Sequence, residues 1–461
     1  MVNADATIRQ LRDAEFARLD RNLQVYLDYT GTGLYADSQL REHAELLREG
    51  VFGNPHSVNP TSRTASKLVD RARDAVLRFF DADPAEYAVI FSQNATGALR
   101  LVGEAYPFVH GSRLVLTSDN HNSVNGLRAY ACARGGTVQY LPLDVDLRLP
   151  ADSASNVAPA SAPSLFAYPL QSNFSGVRHD VQWVRTMQDR GYHVLVDAAA
   201  FVPTNPLSLR IVKPDFLCLS FYKMFGYPTG IGALIAKREA LSVLRRPWFS
   251  GGTVEWVSVQ NVRHQLEAAP AAFEDGTVNF LGISAVPIGL SFLSRVGVER
   301  IREHVAGLTR RLLEGVRSLS HADGRPMVVI HGPADCHGRG GTVAFNVVSR
   351  FGRVVPFIDV ERAAGEQNIS IRGGCFCNPG AAEFAFGYDA RRAATCLDRT
   401  SPGVFDAREF AACLGTTVGA VRASAGLPTT TDDIDRLLEF LGRTAASYRL
   451  PAASSSFTAS R

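Results

Sequence analysis

The sequence predicts an α/β chain: a large, mostly parallel sheet covered by helices on both faces, followed by a smaller α+β unit. Three observations lead there. The short apolar runs are continuous rather than alternating, as in strands buried on both faces. Amphipathic helical patterns separate them, as parallel crossovers require. From about residue 285 the pattern changes to long amphipathic helices with a few strands, which makes a second unit.

Taken in order, the N-terminal stretch "MVNADATIRQLRDAEFARLD" is charged and lacks an apolar signal core. It predicts a helical segment over 1–25 that packs with the small domain. The large domain, 26–300, carries the strands "YAVIFS" (87–92), "RLVLTS" (113–118), "SLFAYP" (164–169), "HVLVDAAAFV" (193–202), "FLCLSF" (216–221) and "GALIAK" (232–237). "ATGALRLVGEAY" and "RHDVQWVRTMQDRG" read as helices between them, and "PADSASNVAPASAPS" (150–164) as a flexible surface loop. The run that begins at "AVPIGLSFL" predicts two helices broken near Gly297. The small domain, 301–450, continues with strands "PMVVIHG" and "TVAFNVVS", helix "FIDVERAAGEQ", the segment "ISIRGGCFCNPG" and a closing helix "TDDIDRLLEFLGRTAASY". The polar end, 451–461, reads as a disordered tail.

Composition excludes several classes. With 46% apolar and 20% charged residues and a net charge of +3, the chain has no basic footprint for nucleic acid. No stretch approaches the roughly 20 apolar residues of a spanning helix, so a cytoplasmic protein without membrane or nucleic-acid partners is expected. Seven cysteines, scattered except for Cys375 and Cys377, argue for reduced thiols rather than a disulfide framework. No C-x-x-C pair is present, so no metal site is expected.

Polar residues collect at strand ends, where ligands gather in open α/β sheets. "FSQNATGALRL" is a strand, a polar turn and a helix start, at which the backbone of Asn94, Ala95 and Thr96 and the Thr96 hydroxyl suit a phosphate. An ordinary N-cap reads the same way. Asp197 ends a buried strand and needs a partner: an arginine, a cap, or a protonated ring nitrogen. His121, in "TSDNHNSV", is a candidate to stack on a planar ring and move protons. Lys223, 26 residues after Asp197, is either a strand-end amine that snorkels to solvent or a desolvated nucleophile. Phosphate turn, aspartate and lysine in that order form the layout that pyridoxal phosphate requires.

The chain resembles class V pyridoxal-phosphate enzymes, specifically the cysteine desulfurase-like domain of molybdenum cofactor sulfurases. The resemblance runs from "YLDYTGTGLY" to "VRASAGLPTTTDDIDRLLEFL" and is strongest in "VFGNPHS", "QSNFSG", "DAAAFVPTNPLSL", "SFYKMFGYPTGIGALI", "FEDGTVNFLGI" and "RGGCFCNPGA". It implies fold type I of the pyridoxal-phosphate transferases. Lys223 becomes the Schiff-base lysine, Asp197 the partner of the pyridinium nitrogen and His121 the ring-stacking residue. Thr96 and Ser220 would bind phosphate, with Asn94 and Ala95 as backbone donors, and Asn173 would lie near the cofactor hydroxyl and the substrate. Thr277 would reach the phosphate of a second subunit, which implies a homodimer.

In "IRGGCFCNPG", the Arg372 fork suits an amino acid carboxylate. Cys377 lies five residues on, the desulfurase spacing, and side-chain alternation in an extended segment would turn Cys375 to the opposite face. The resemblance therefore implies release of alanine from L-cysteine and a persulfide on Cys377, passed to an acceptor protein or small molecule. A class V lyase, epimerase or aminotransferase that forms no persulfide is the alternative. Two departures stand out: Ala200, where simpler desulfurases place a glutamine, and Ala382, where the sulfurase pattern continues with a cysteine.

Overall fold

A computed structural model describes residues 4–448 apart from 401, 402 and 404; the segment 451–461 lies outside the described residues. The large sheet has seven strands: β1 (Tyr87–Ser92), β2 (Arg113–Thr117), β3 (Thr137–Leu141), β4 (Leu165–Pro169), β5 (His193–Asp197), β6 (Phe216–Ser220) and β7 (Gly232–Lys237). Their order is β1-β7-β6-β5-β4-β2-β3. Only β7 runs antiparallel to its neighbours. Both faces are buried, which explains the continuous apolar runs. In β1, Val89 and Phe91 join a core that includes Val69, Ala72 and Val76 of helix Pro60–Phe79. Ala88 and Ile90 join the opposite one with Ala98, Leu99 and Val102 of helix Ala95–Ala105.

The second unit is a four-stranded antiparallel sheet, β8 (Val328–His331), β9 (Thr342–Val347), β10 (Arg372–Gly374) and β11 (Ala420–Ser424), in the order β8-β9-β11-β10. Ile301, Val305 and Leu312 of helix Val298–Ser318 and Leu437, Phe440 and Leu441 of helix Thr431–Ser447 share a core with Val343, Phe345 and Val421. The expected helix break falls at Gly297, between Val286–Val296 and Val298–Ser318.

The N-terminal helix Ala4–Glu15 is tied to this unit through buried Arg12, which pairs with Asp433 at 2.6 Å and donates to the Pro428 carbonyl at 2.7 Å. Strand Val25–Tyr26 pairs in parallel with Ile369–Ser370, and Asp28 bridges Ser424. The chain therefore stays with the small sheet through Asp28, because Val25 and Leu27 are wholly buried there, and enters the large domain only afterwards.

Three expectations are corrected. Cys396 and Cys413 form a disulfide, so only five cysteines are free. They sit on helices Ala390–Asp398 and Ala407–Leu414, whose apolar faces pack around Leu414, Val418 and Phe410 and bring the two Cα atoms to 5.9 Å. The segment 150–164 is anchored in part, by a short 3-10 turn, Ser153–Asn156, with Ser153 and Ala154 buried. The stretch that holds Cys375 and Cys377 is not extended. It turns, with Phe376 at φ 56° and Cys377 at φ 55°, so strand alternation does not govern the two thiols. Among the described residues no single helix is long and apolar enough to cross a membrane.

Candidate active site

The predicted residues converge where β1, β2, β4, β5 and β6 end. After β1, Asn94 caps helix Ala95–Ala105, and its side chain accepts the Gly97 N–H at 3.0 Å. The Ala95 N–H donates to the Ser220 hydroxyl oxygen at 2.8 Å, and the Thr96 and Ser123 hydroxyls meet at 2.7 Å. This joins the ends of β1 and β6 in one polar turn at a positive helix end. Here the Ala95 amide is bonded to Ser220, which ties the expected backbone donor to one of the expected phosphate hydroxyls.

Asp197, at the end of β5, is buried; one carboxylate oxygen accepts the Ala199 N–H at 3.0 Å. Lys223 lies in the first turn of the short helix Phe221–Phe225 that follows β6. No described side chain forms a hydrogen bond or ion pair with its amine. Burial pulls the Lys223 pKa below the ordinary amine range and Arg422 adds to this, against the opposing pull of Asp197. His121 caps its own short turn, with Nδ1 accepting the Ser123 N–H at 3.1 Å, which leaves Nε2 to carry the ring proton. Burial lowers its pKa too, with Asp197 opposing and Lys223 and Arg422 assisting. The three residues thus share one electrostatic environment, in which amine and imidazole are biased to their neutral forms.

The small domain brings the sulfur. Cys377 is exposed, in the turn that follows β10. Its carbonyl accepts the Asn122 N–H at 2.7 Å, next to His121. Cys375 is partly buried, and burial together with Glu383 pushes its thiol up to about 11. At neutral pH Cys375 is a protonated thiol and a poor nucleophile. Asn173 does not stand alone beside the substrate space. Its Nδ2 donates to the Phe376 carbonyl at 2.7 Å, and its Oδ1 accepts from Asn378 at 2.9 Å.

Arg372 donates to both Asp28 oxygens, through Nε at 2.9 Å and 3.2 Å, and its side chain is 50% exposed. Opposite it on β11, Arg422 is 2% exposed, donates to Asp28 at 2.9 Å and to the Asn173 carbonyl at 2.9 Å, and lies over the Phe376 ring. Its Nε has no partner among the described residues. The Arg422 guanidinium is among the groups that lower the pKa of both Lys223 and His121. The sequence signal was an arginine inside the apolar strand "AVRAS", since an arginine is rarely buried without a partner.

Thr277 lies apart from the cradle. Its hydroxyl accepts from Asn54 at 3.2 Å, and it lines a groove of about 360 Å³ with Ser92, Gly97 and Trp248. Ala200 lines a small cavity of about 40 Å³ behind Lys223, together with Gln171, Thr30 and Thr342.

An unpartnered amine, a buried carboxylate on a neighbouring strand and hydroxyls at a helix start fit a phosphorylated aromatic aldehyde. The comparisons with known proteins agree. Molybdenum cofactor sulfurase of Bos taurus is 35% identical over 458 residues, covering 94% of this chain and 51% of the relative. That of Arabidopsis thaliana is 33% identical over 476 residues, covering 94% and 58%. The chain thus spans little more than half the length of these curated relatives. Among solved structures, a cysteine desulfurase from Thermococcus onnurineus NA1 superposes with a TM-score of 0.78 at 24% identity, covering 95% of this chain and 97% of that one. The cysteine desulfurase CsdA from Escherichia coli gives 0.74 at 21%, covering 95% and 98%. The expected fold is therefore the observed one. The model of the family described as "Aminotransferase class-V" matches residues 25–437, and the chain belongs to that family.

Proposed function

We propose that the protein is a pyridoxal-phosphate-dependent cysteine desulfurase that delivers sulfur through a persulfide on Cys377. The observation that carries this reading is the exposed Cys377, whose carbonyl is bonded to the Asn122 N–H next to His121, in a site where the Lys223 amine has no side-chain partner among the described residues. Lys223 would hold the cofactor, with Asp197 facing the ring nitrogen, His121 on the ring face and Thr96 and Ser220 at the phosphate. When bound, the cofactor supplies a sink for the electron pair left on the substrate Cα.

The chain does the rest. Arg422 orients the substrate carboxylate, with Arg372 at the outer edge. The Lys223 amine, biased toward its neutral form by burial, takes the Cα proton and returns one to the product. Asp197 keeps a proton on the ring nitrogen. The Cys377 thiolate attacks the substrate sulfur: an S–S bond forms, the Cβ–S bond breaks, and its electron pair stays with the carbon. Cysteine and thiol become alanine and persulfide, with no external oxidant.

The exposed Cys377 suits transfer to a thiol or an acceptor protein. A homodimer belongs to the same proposal, supported by the exposed Trp248 in the Thr277 groove and by the exposed Trp256, Val257 and Leu281. A cytoplasmic setting does too, and there the Cys396–Cys413 bond would be open to reduction.

The test is alanine release from L-cysteine with and without dithiothreitol. One turnover without thiol and many with it are expected. Sustained pyruvate release would replace this reading with a lyase.

A further inference from the structure

The segment that carries Cys377 is fastened to the large domain at several points, two of them on the side chain of Asn378. Its side chain is completely buried. Nδ2 donates to the Asp119 carbonyl at 2.6 Å and to Asn173 Oδ1 at 2.9 Å, while Oδ1 accepts the Ala381 N–H at 3.1 Å and caps helix Pro379–Phe386. Asn173 answers by donating to the Phe376 carbonyl, and Asn122 donates to that of Cys377. Two residues further on, Gly380 lies so close to the large domain that a Cβ there would sit 2.0 Å from the Ser118 carbonyl oxygen.

Between these fastenings, Phe376 and Cys377 are consecutive non-glycine residues in the left-handed region. Such a conformation costs about 1–3 kcal/mol per residue and persists only where the surroundings over-determine it. The fastenings supply that constraint. They bind to the turn Ser118–Asn122, which also presents His121, and to the loop of Asn173, whose carbonyl holds Arg422.

We infer that Asn378 is a positioning residue: with Gly380 it latches Cys377 against the His121 turn. The sulfur is thereby held in one position, and the acceptor must come to a fixed persulfide rather than meet a swinging one. This inference rests on the desulfurase reading.

The two roles of Asn378 are separable. Asn378→Asp keeps the capping oxygen but replaces the donor to Asp119 and Asn173 with a repelling oxygen. Gly380→Ala leaves every polar group in place and forces the backbones apart. The experiment uses the holoenzyme and compares two reactions in each variant: alanine formation from L-cysteine, which needs Cys377, and exchange of the alanine Cα proton with deuterated solvent, which does not. Both variants are expected to lose alanine formation by about 100-fold, the effect of a displacement near 1 Å, while proton exchange stays at the wild-type rate. Amide hydrogen exchange across 372–384, measured in the cofactor-free protein as well, should accelerate. Equal loss of both reactions, or full alanine formation in either folded variant, overturns the inference. A wild-type protein that makes no alanine overturns instead the reading on which it rests.

Discussion

Arg372 and Arg422 stand directly opposite each other on β10 and β11 and converge on one carboxylate, that of Asp28. Asp28 comes from the N-terminal crossover, so a residue near the start of the chain neutralises one of the two guanidiniums. One positive charge remains for a monocarboxylate. The exposed Arg372 is committed to Asp28, whereas buried Arg422 keeps an unpartnered Nε.

Substitution at these two positions should therefore be unequal. Arg422→Lys is expected to raise the KM for L-cysteine by roughly 100-fold or more, in line with the 2–5 kcal/mol lost when a buried charge loses its partner geometry. Arg372→Lys is expected to change it by less than about 10-fold, because exposed ion pairs contribute little. Steady-state kinetics with cofactor content monitored in parallel decide this. A larger effect at Arg372 would return the carboxylate role to it.

Lys223→Ala should lower turnover by at least roughly 10²–10⁴-fold from lost proton transfer alone, and borohydride should fix the cofactor to a peptide that contains Lys223. The same residue has a measurable influence on stability. Its folded pKa lies below the ordinary 10.5, so the folded state is weakened as the pH falls from that value through the depressed one. At neutral pH the buried amine destabilises the cofactor-free protein. Lys223→Met should raise its melting temperature by a few degrees at pH 7, and the gain should vanish above pH 10.5. An unchanged melting temperature would place the amine in solvent.

Opening the Cys396–Cys413 bond should destabilise the helix pair 390–414 without touching the chemistry. The cysteines are 17 residues apart, and closing a loop of that length is worth about 3 kcal/mol in the chain-entropy account. Amide exchange in 388–415 should rise in the Cys396→Ser variant while alanine formation holds. Loss of activity would link this helix pair to the site.

Legibility followed burial. β1 and β7 coincide with "YAVIFS" and "GALIAK" because both faces of those strands are covered. β3 was missed because Thr137 and Tyr140 are exposed at the sheet edge and break the apolar run. Asn94, Ala95, Thr96, His121, Asp197 and Lys223 stood out as candidates from local pattern, whereas Ser220 and Asn173 came only with the family resemblance. The Asp28–Arg422 pair was not readable, since its members are 394 residues apart in the chain. The disulfide joins two short amphipathic helices that the sequence reading passed over, and the turn at Phe376 and Cys377 arises from contacts with the large domain rather than from the residues themselves.

The most direct test of the account is to mix the holoenzyme with L-cysteine in the absence of other thiols, quench after one turnover, and map sulfur by mass spectrometry while alanine is counted. The account predicts one alanine per site, one added sulfur atom on Cys377 and none on Cys375, with Cys377→Ser forming neither alanine nor persulfide and Cys375→Ser retaining most activity. Sulfur on Cys375, or product formed at full rate by Cys377→Ser, would contradict it.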